Sequence, residues 1–281
     1  IVAAATVLTV MFVLGLGILL SEFSWVWGHP GLVARGLFAV LIAVPALAIV
    51  VVRTFDLARP VQIGIVLMAI SPGAPIALRK SLAAGGHRAF APALQILVAM
   101  LAVVSMPLSI AALDVVYAGD ASIAPGHLAR QVFTAQLLPL TLGMLIRRAV
   151  PKFADWIEPR LARIAKLLLI AFVIMALIDV WHVVVDAGPR IAIAIIVITA
   201  LALAIGHLLG GPDPQTRTAV AVSSAARNPG LALLVATLNN ASPEIVRMVL
   251  AYLIISALAV IPYLTWRRRE REPTTTEVKQ R

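Results

Sequence analysis

Long apolar runs follow one another through this chain with only short polar connections, and nothing else in the sequence restricts the fold as much. The runs cover about 2–20, 32–52, 61–84, 90–113, 132–146, 161–181, 191–209, 217–239 and 246–266. A helix needs roughly 20 mainly apolar residues to cross a bilayer. In lipid only a helix or a closed barrel satisfies its own backbone hydrogen bonds. The pattern predicts an all-α membrane protein of about nine transmembrane helices, with residues 1–281 as a single polytopic domain. Composition agrees, since 61% of the 281 residues are hydrophobic and only 13% charged, against about 25% charged in soluble domains. Turn signals such as Gly28-His29-Pro30-Gly31, Gly85-Gly86, Gly188-Pro189 and Gly210-Gly211-Pro212 separate the runs. Pro45, Pro107, Pro139 and Pro262 fall inside runs and read as kinks.

The net charge of +10 marks cytoplasmic loops, not a nucleic-acid partner, because no groove-reading motif is present. With the N-terminus outside, the cytoplasmic side receives Arg35, Arg79, Lys80, Arg88, the cluster from Arg147 to Lys166, Arg217 and the basic tail. The outer side holds only Arg53, Arg59, Arg130, Arg190 and Arg247, and Arg227 falls in mid-membrane. The chain is therefore expected in the plasma (inner) membrane with its C-terminus cytoplasmic. Residues 147–160 read as an amphipathic cytoplasmic linker, with Phe153, Trp156 and Ile157 able to rest on the membrane surface. Residues 267–281, charged and rich in Thr, read as a disordered tail. Cysteine is absent, which excludes disulfides, thiolate metal sites and cysteine nucleophiles. The chain opens on Ile1 with no basic segment before the first run, so no signal peptide is expected.

Two runs are broken at their middles. The third reads PVQIGIVLMAI, then Ser71-Pro72-Gly73-Ala74-Pro75, then IALRKSLAAGG. The eighth reads RTAVAVSSAA, then Arg227-Asn228-Pro229-Gly230, then LALLVATLNN. About ten residues flank each break on either side, and ten helical residues span about 15 Å, half a bilayer. Unwound backbone at that depth must be buried in protein or line a wet cavity, and such discontinuous helices point to a transporter binding site. Pro107 follows the first break, and Pro262 the second, at nearly equal intervals. Crossings three and eight run in opposite directions, so the breaks predict an inverted five-helix repeat. The first repeat (1–146) lacks its first helix and the second is 161–266. Either one helix precedes Ile1 or this is a nine-helix variant of a ten-helix plan.

The stretches SPGAPIALRKSLAAGG and SSAARNPGLALLVA resemble the two crossed-helix motifs of the bile acid:sodium symporter family. The resemblance implies a core domain holding both broken helices, a panel domain of other helices, and solute movement by rocking between them. Sodium-coupled members typically carry a Glu and a Gln where this chain has Ser223 and Arg227, and a Ser-Asn pair where it has Ala77 and Leu78. These departures put sodium coupling in doubt, and no cofactor or metal is expected. The resemblance leaves two transport readings open, a symporter-like carrier of a small organic anion and a sodium-independent carrier, proton-coupled or facilitative.

An enzyme is disfavoured because no acid, base and nucleophile set stands out in the apolar segments; only Asp179 with His182 forms a local pair. A membrane sensor without transport is the third class. The expected solute is a small organic anion of carboxylate or sulfonate type, with the bilayer as the other partner. The expected site comprises Ser71, Pro72, Gly73, Ala74, Pro75, Arg79, Ser223, Ser224, Arg227, Asn228, Pro229 and Gly230, because half-helix N-termini converge there and favour an anion. Arg79 and Lys80 either face a cytoplasmic cavity or snorkel to the headgroups. Arg227 either stands in for a coupling cation at the C-terminal end of a half-helix or turns into a vestibule.

Overall fold

A chain with 18 prolines can be helical throughout only if they sit where a helix needs no amide donor. Most do so in the computed structural model, which describes residues 2–17, 23–116, 124–186 and 188–271. Every regular element among them is helical. In chain order they are α1 (Val2–Gly17), α2 (Phe23–Gly28), α3 (Pro30–Phe38), α4 (Val44–Thr54), α5 (Arg59–Ala69), α6 (Pro75–Ala83), α7 (Phe90–Val116) and α8 (Pro125–Val132). Then come α9 (Leu138–Ala149), α10 (Pro151–Asp186), α11 (Gly188–Leu209), α12 (Pro214–Ala225), α13 (Pro229–Leu238), α14 (Pro243–Ala259) and α15 (Ile261–Arg271). Pro30, Pro75, Pro125, Pro214, Pro229 and Pro243 all occupy the first turn, where the missing N–H has no partner to lose.

Pro45 and Pro139 are accommodated differently. A π-helical turn, Ala39–Ala43, joins α3 to α4, and another, Phe133–Leu137, joins α8 to α9. In each the residue before the proline reaches back five positions, Val44 N–H to Ala39 O and Leu138 N–H to Phe133 O. The wider turn moves the carbonyl that the proline ring would otherwise strike. Pro107 lies inside α7, and Pro262 starts α15 just past the end of α14.

Five helical stretches among the described residues are long and apolar enough to cross a membrane: Pro30–Thr54, Phe90–Leu113, Gly188–Leu209, Pro214–Leu238 and Pro243–Glu270. Ala4–Gly17 and Arg59–Ala69 are shorter apolar helices. Large apolar side chains such as Val50, Leu108, Leu145, Leu167 and Leu258 face outward, as a lipid-facing surface requires.

The helices pack as two groups. In one, α1 lies along α9 and α10. Its tightest point is Gly15 against Gly143: a Cβ on Gly143 would stand 2.3 Å from Phe12 O, and one on Gly15 2.2 Å from Leu140 O. Only glycine lets two backbones meet so closely. In the other group α4 packs on α5 and α11, α11 runs along α12, and α14 covers α5, α11 and α13. The largest apolar cluster is centred in this second group on Ile65, Met68, Leu231, Met248 and Tyr252 and extends to Val7 and Met11 of α1. The groups meet where α1 packs on α13 and α10 on α14, and the stretch 125–149 belongs to both, since α8 rests on α7 and touches α13 while α9 joins α1 and α10.

Two stretches differ from the sequence reading. Residues 151–160, expected within a linker, are the first turns of α10, which runs unbroken to Asp186, because Pro151 starts the helix without requiring a donor. Residues 267–271, expected in a disordered tail, continue α15. Arg267 is only 8% exposed; its Nε donates to Thr218 Oγ1 (2.8 Å), its Nη2 to Pro214 O (2.9 Å), and it pairs with Glu270. Residues 272–281, and the side chains of Asp179 and His182, lie outside what the structure describes.

Candidate functional site

Both breaks form where the sequence places them, and they meet. The first opens as α5 ends at Ala69; Ser71 turns back, its N–H donating to Met68 O (3.1 Å) and its Oγ to Leu67 O (2.7 Å). Gly73 then adopts φ +81°, a left-handed conformation that costs other residues roughly 1–2 kcal/mol, and α6 restarts at Pro75. The second break follows α12, whose N-terminus is capped by the Asp213 carboxylate accepting from the Gln215 and Thr216 amides. Ala226 is extended, and Asn228 Oδ1 caps α13 by accepting from Leu231 N–H (3.1 Å). Asn228 N–H donates to Ser71 O at 2.9 Å, which joins the breaks directly. With α12 packed on α6 and α13 on α5, the two interrupted helices pass each other antiparallel.

Arg227 holds the crossing together. It is 5% exposed, and its partners are carbonyls and not carboxylates. Nη1 donates to Val40 O and Ala69 O, both at 2.9 Å, and Nη2 to Ser224 O at 2.7 Å. Each acceptor has lost its helical partner for a local reason. Ala69 and Ser224 lie in the last turns of α5 and α12, where carbonyls are orphaned; the amide four residues after Ser224, that of Asn228, goes to Ser71 instead. Val40 faces the nitrogen of Pro45 in the π register, which carries no hydrogen, while Val44 N–H is taken by Ala39. The guanidinium thus collects carbonyls left over by two helix ends and one proline. Arg227 Nε and Ser224 Oγ are also buried there, and neither has a partner among the described residues.

Of the other expected site residues, Ser71, Pro72, Gly73, Ala74, Ser223, Asn228 and Gly230 are buried at the crossing and Pro229 is half-buried. Pro75 supplies the first position of α6. Arg79 is exposed, about one turn away. The sequence reading missed four amide side chains, Gln95 and Gln136 at the crossing and the pair Gln131 and Asn239 at the far end of α13. Gln95 Nε2 donates to Ala74 O (3.0 Å). Gln136, fully buried in the second π turn, donates through Nε2 to Ala99 O (3.2 Å) and accepts at Oε1 from Asn228 Nδ2 (3.4 Å). Asn239 Nδ2 donates to Gln131 Oε1 at 2.9 Å. A Cβ on Gly73 would stand 3.0 Å from Gln136 Nε2, so this glycine also makes room for the amide. A neutral amide inside an apolar run was the available signal.

The profile of the Sodium Bile acid symporter family matches residues 4–187. The chain belongs to that family. It is accordingly a multi-pass membrane protein of a transporter family. The match covers α1 to α10 and the first break, whereas the second break, with Arg227, lies beyond it. No curated protein matches the chain.

In this symporter-family chain a cavity of about 1520 Å³ lies between α1 and α10 on one wall and α6, the 84–89 turn, the start of α12 and the end of α15 on the other. Arg79, Arg88 and Lys166 are among its lining cations, and Ile76, in the first turn of α6 two residues past Ala74, is its nearest approach to the crossing in sequence. Arg79 thus faces the cavity, while Lys80 is half-buried outside its lining. Among the described residues no three His, Cys, Asp or Glu side chains cluster to hold a metal.

Proposed function

We propose that the chain is a secondary transporter that moves a small organic anion, a carboxylate or sulfonate, across the plasma membrane by alternating access. The observation that carries this reading is the antiparallel meeting of two broken helices beside a large cavity, in a member of a transporter family. Binding near Ser71–Ala74, Ser223, Ser224 and Asn228 suits an anion, because the α6 and α13 N-termini converge there and a cation stands beside them. Nine crossings in two inverted repeats, with an outside N-terminus and a cytoplasmic C-terminus, make the cavity open to the cytoplasm. The test is uptake into proteoliposomes of labelled carboxylates and sulfonates, with and without sodium. Saturable uptake of at least one such anion is expected; a protein that stays inactive across the panel while binding none of it in a thermal-shift screen is not this transporter.

A second reading concerns coupling, and Arg227 favours it. Half-helix C-termini and unwound carbonyls are where transporters of broken-helix design hold a coupling cation, and here a guanidinium occupies two such carbonyls, Ala69 O and Ser224 O, together with Val40 O. In this reading the carrier is sodium-independent, either proton-coupled or facilitative. Wild-type uptake should then be unchanged when potassium or choline replaces sodium, and strong sodium dependence would eliminate it.

A further inference from the structure

The broken crossing α12–α13 has its two ends in different surroundings. Pro214, at the start of α12, borders the cavity. Asn239 follows α13 at the other end, up to about 37 Å away for a run of 25 helical residues. There Asn239 Nδ2 donates to Gln131 Oε1 at 2.9 Å, and Gln131, on α8, is only 7% exposed. Deeper on the same stretch 125–149, Gln136 accepts from Asn228 Nδ2 and donates to Ala99 O of α7. Past the π turn that holds Gln136, α9 leaves to pack on α1 and α10. The two helix groups also pack directly, α1 on α13 and α10 on α14; the side-chain amides of the 125–149 stretch bridge them at the Asn239 end, and they part at the cavity end.

We propose that the Gln131–Asn239 and Gln136–Asn228 amide pairs are the gate that shuts the solute pathway at the end opposite the cavity, with Gln131 and Gln136 as its positioning residues. This rests on the transport reading above. Before a solute can reach the crossing from that end, both pairs must separate. Interhelical hydrogen bonds in membrane proteins have measured strengths that convert to about a three- to twenty-fold bias each. A pair of that strength keeps the end closed at rest and still lets it open within a transport cycle. Neutral amides also leave no fixed charge to trap a passing anion.

The absence of cysteine makes a single introduced thiol a clean reporter. Ala99→Cys places it in the fully buried position beside Gln136. Its modification rate by the charged reagent 2-(trimethylammonium)ethyl methanethiosulfonate is followed in detergent, where both ends are accessible. In the Asn239→Leu and Gln131→Leu backgrounds the rate should rise about three- to twenty-fold. The double leucine variant should gain no more than either single one, and the exchanged pair Gln131→Asn with Asn239→Gln should return close to the starting rate. Thermal midpoints of all variants separate gating from loss of fold, and the exchanged pair keeps both amides should a leucine variant fail to fold. Unchanged rates in the leucine variants, or an exchanged pair as fast as they are, would overturn the proposal. No transported solute is needed, so a failed gate leaves the uptake result standing and a failed uptake screen leaves the labelling result standing.

Discussion

Replacing Arg227 with methionine keeps most of the side-chain volume and removes every hydrogen-bond donor, which makes it the sharpest perturbation of the crossing. Val40 O, Ala69 O and Ser224 O would lose partners now at 2.7 to 2.9 Å. A buried carbonyl left unsatisfied costs about 1–3 kcal/mol. Against this, taking an arginine out of the membrane interior returns roughly 2.5–3.5 kcal/mol on insertion scales. With about 2 kcal/mol for each carbonyl, the loss wins by about 3 kcal/mol. That is a large part of the stability of an ordinary domain, about 5–15 kcal/mol. Unfolding by SDS in mixed micelles, followed through the five tryptophans, measures it. Arg227→Lys should fall between the two, because a single ammonium keeps the charge but cannot fork to carbonyls on three elements. A methionine variant as stable as the wild type would refute the reasoning, since it would mean that the three carbonyls satisfy themselves without the guanidinium.

Gly143→Leu should destabilise the protein by about 3 kcal/mol or more in the same SDS titration, because its Cβ would meet Phe12 O at 2.3 Å, while Gly31→Leu, with nothing within 4 Å, should match the wild type. Gln95→Leu removes one of two donors to Ala74 O, which keeps the Ala77 amide, and should cost about 0.5–1.5 kcal/mol, read the same way. Arg79→Ala should lower uptake of an anion at low ionic strength several-fold and have less effect at high salt, since an exposed cation at a cavity mouth acts through a field that salt screens; equal uptake in both conditions would leave Arg79 a headgroup anchor only.

The breaks were legible in the sequence because proline and glycine act on the backbone locally, so Ser71-Pro72-Gly73 and Asn228-Pro229-Gly230 announce themselves without knowledge of their surroundings. Arg227 was legible as a problem, a charge at mid-membrane with no nearby acid, and as half of a solution, since Ser224 lies one turn before it. Val40 was not, because its carbonyl is orphaned by Pro45 and satisfied by a residue 187 positions away; only the fold brings the two together. Gln131 and Gln136 escaped notice because a single neutral amide hardly alters an apolar run, yet at this depth it must find a partner. Arg267 reads as tail from its neighbours Arg268, Arg269 and Glu270, and is anchored only because the start of α12 offers Thr218 and Pro214 O.

The strengths of these contacts decide which parts of the molecule move together. Hydrogen bonds from a charged donor are worth about 1.5–3 kcal/mol each, and Arg227 makes three of them to α5, α12 and the turn before α4. To pull those elements apart would strand a buried charge as well as three carbonyls. The stretch 125–149 meets the same crossing through neutral amides, whose bonds inside membranes average about 0.6 kcal/mol and reach about 1.7. If the protein changes shape to expose the crossing at its other end, the amide contacts yield first and the Arg227 cluster travels whole. The moving boundary then runs between Asn239 and Gln131 and between Asn228 and Gln136, continues past the π turn, and emerges in the cavity beside α1 and α10. On this argument the guanidinium keeps the crossing a rigid unit, and in the carrier proposed above the glutamines set how readily that unit changes sides.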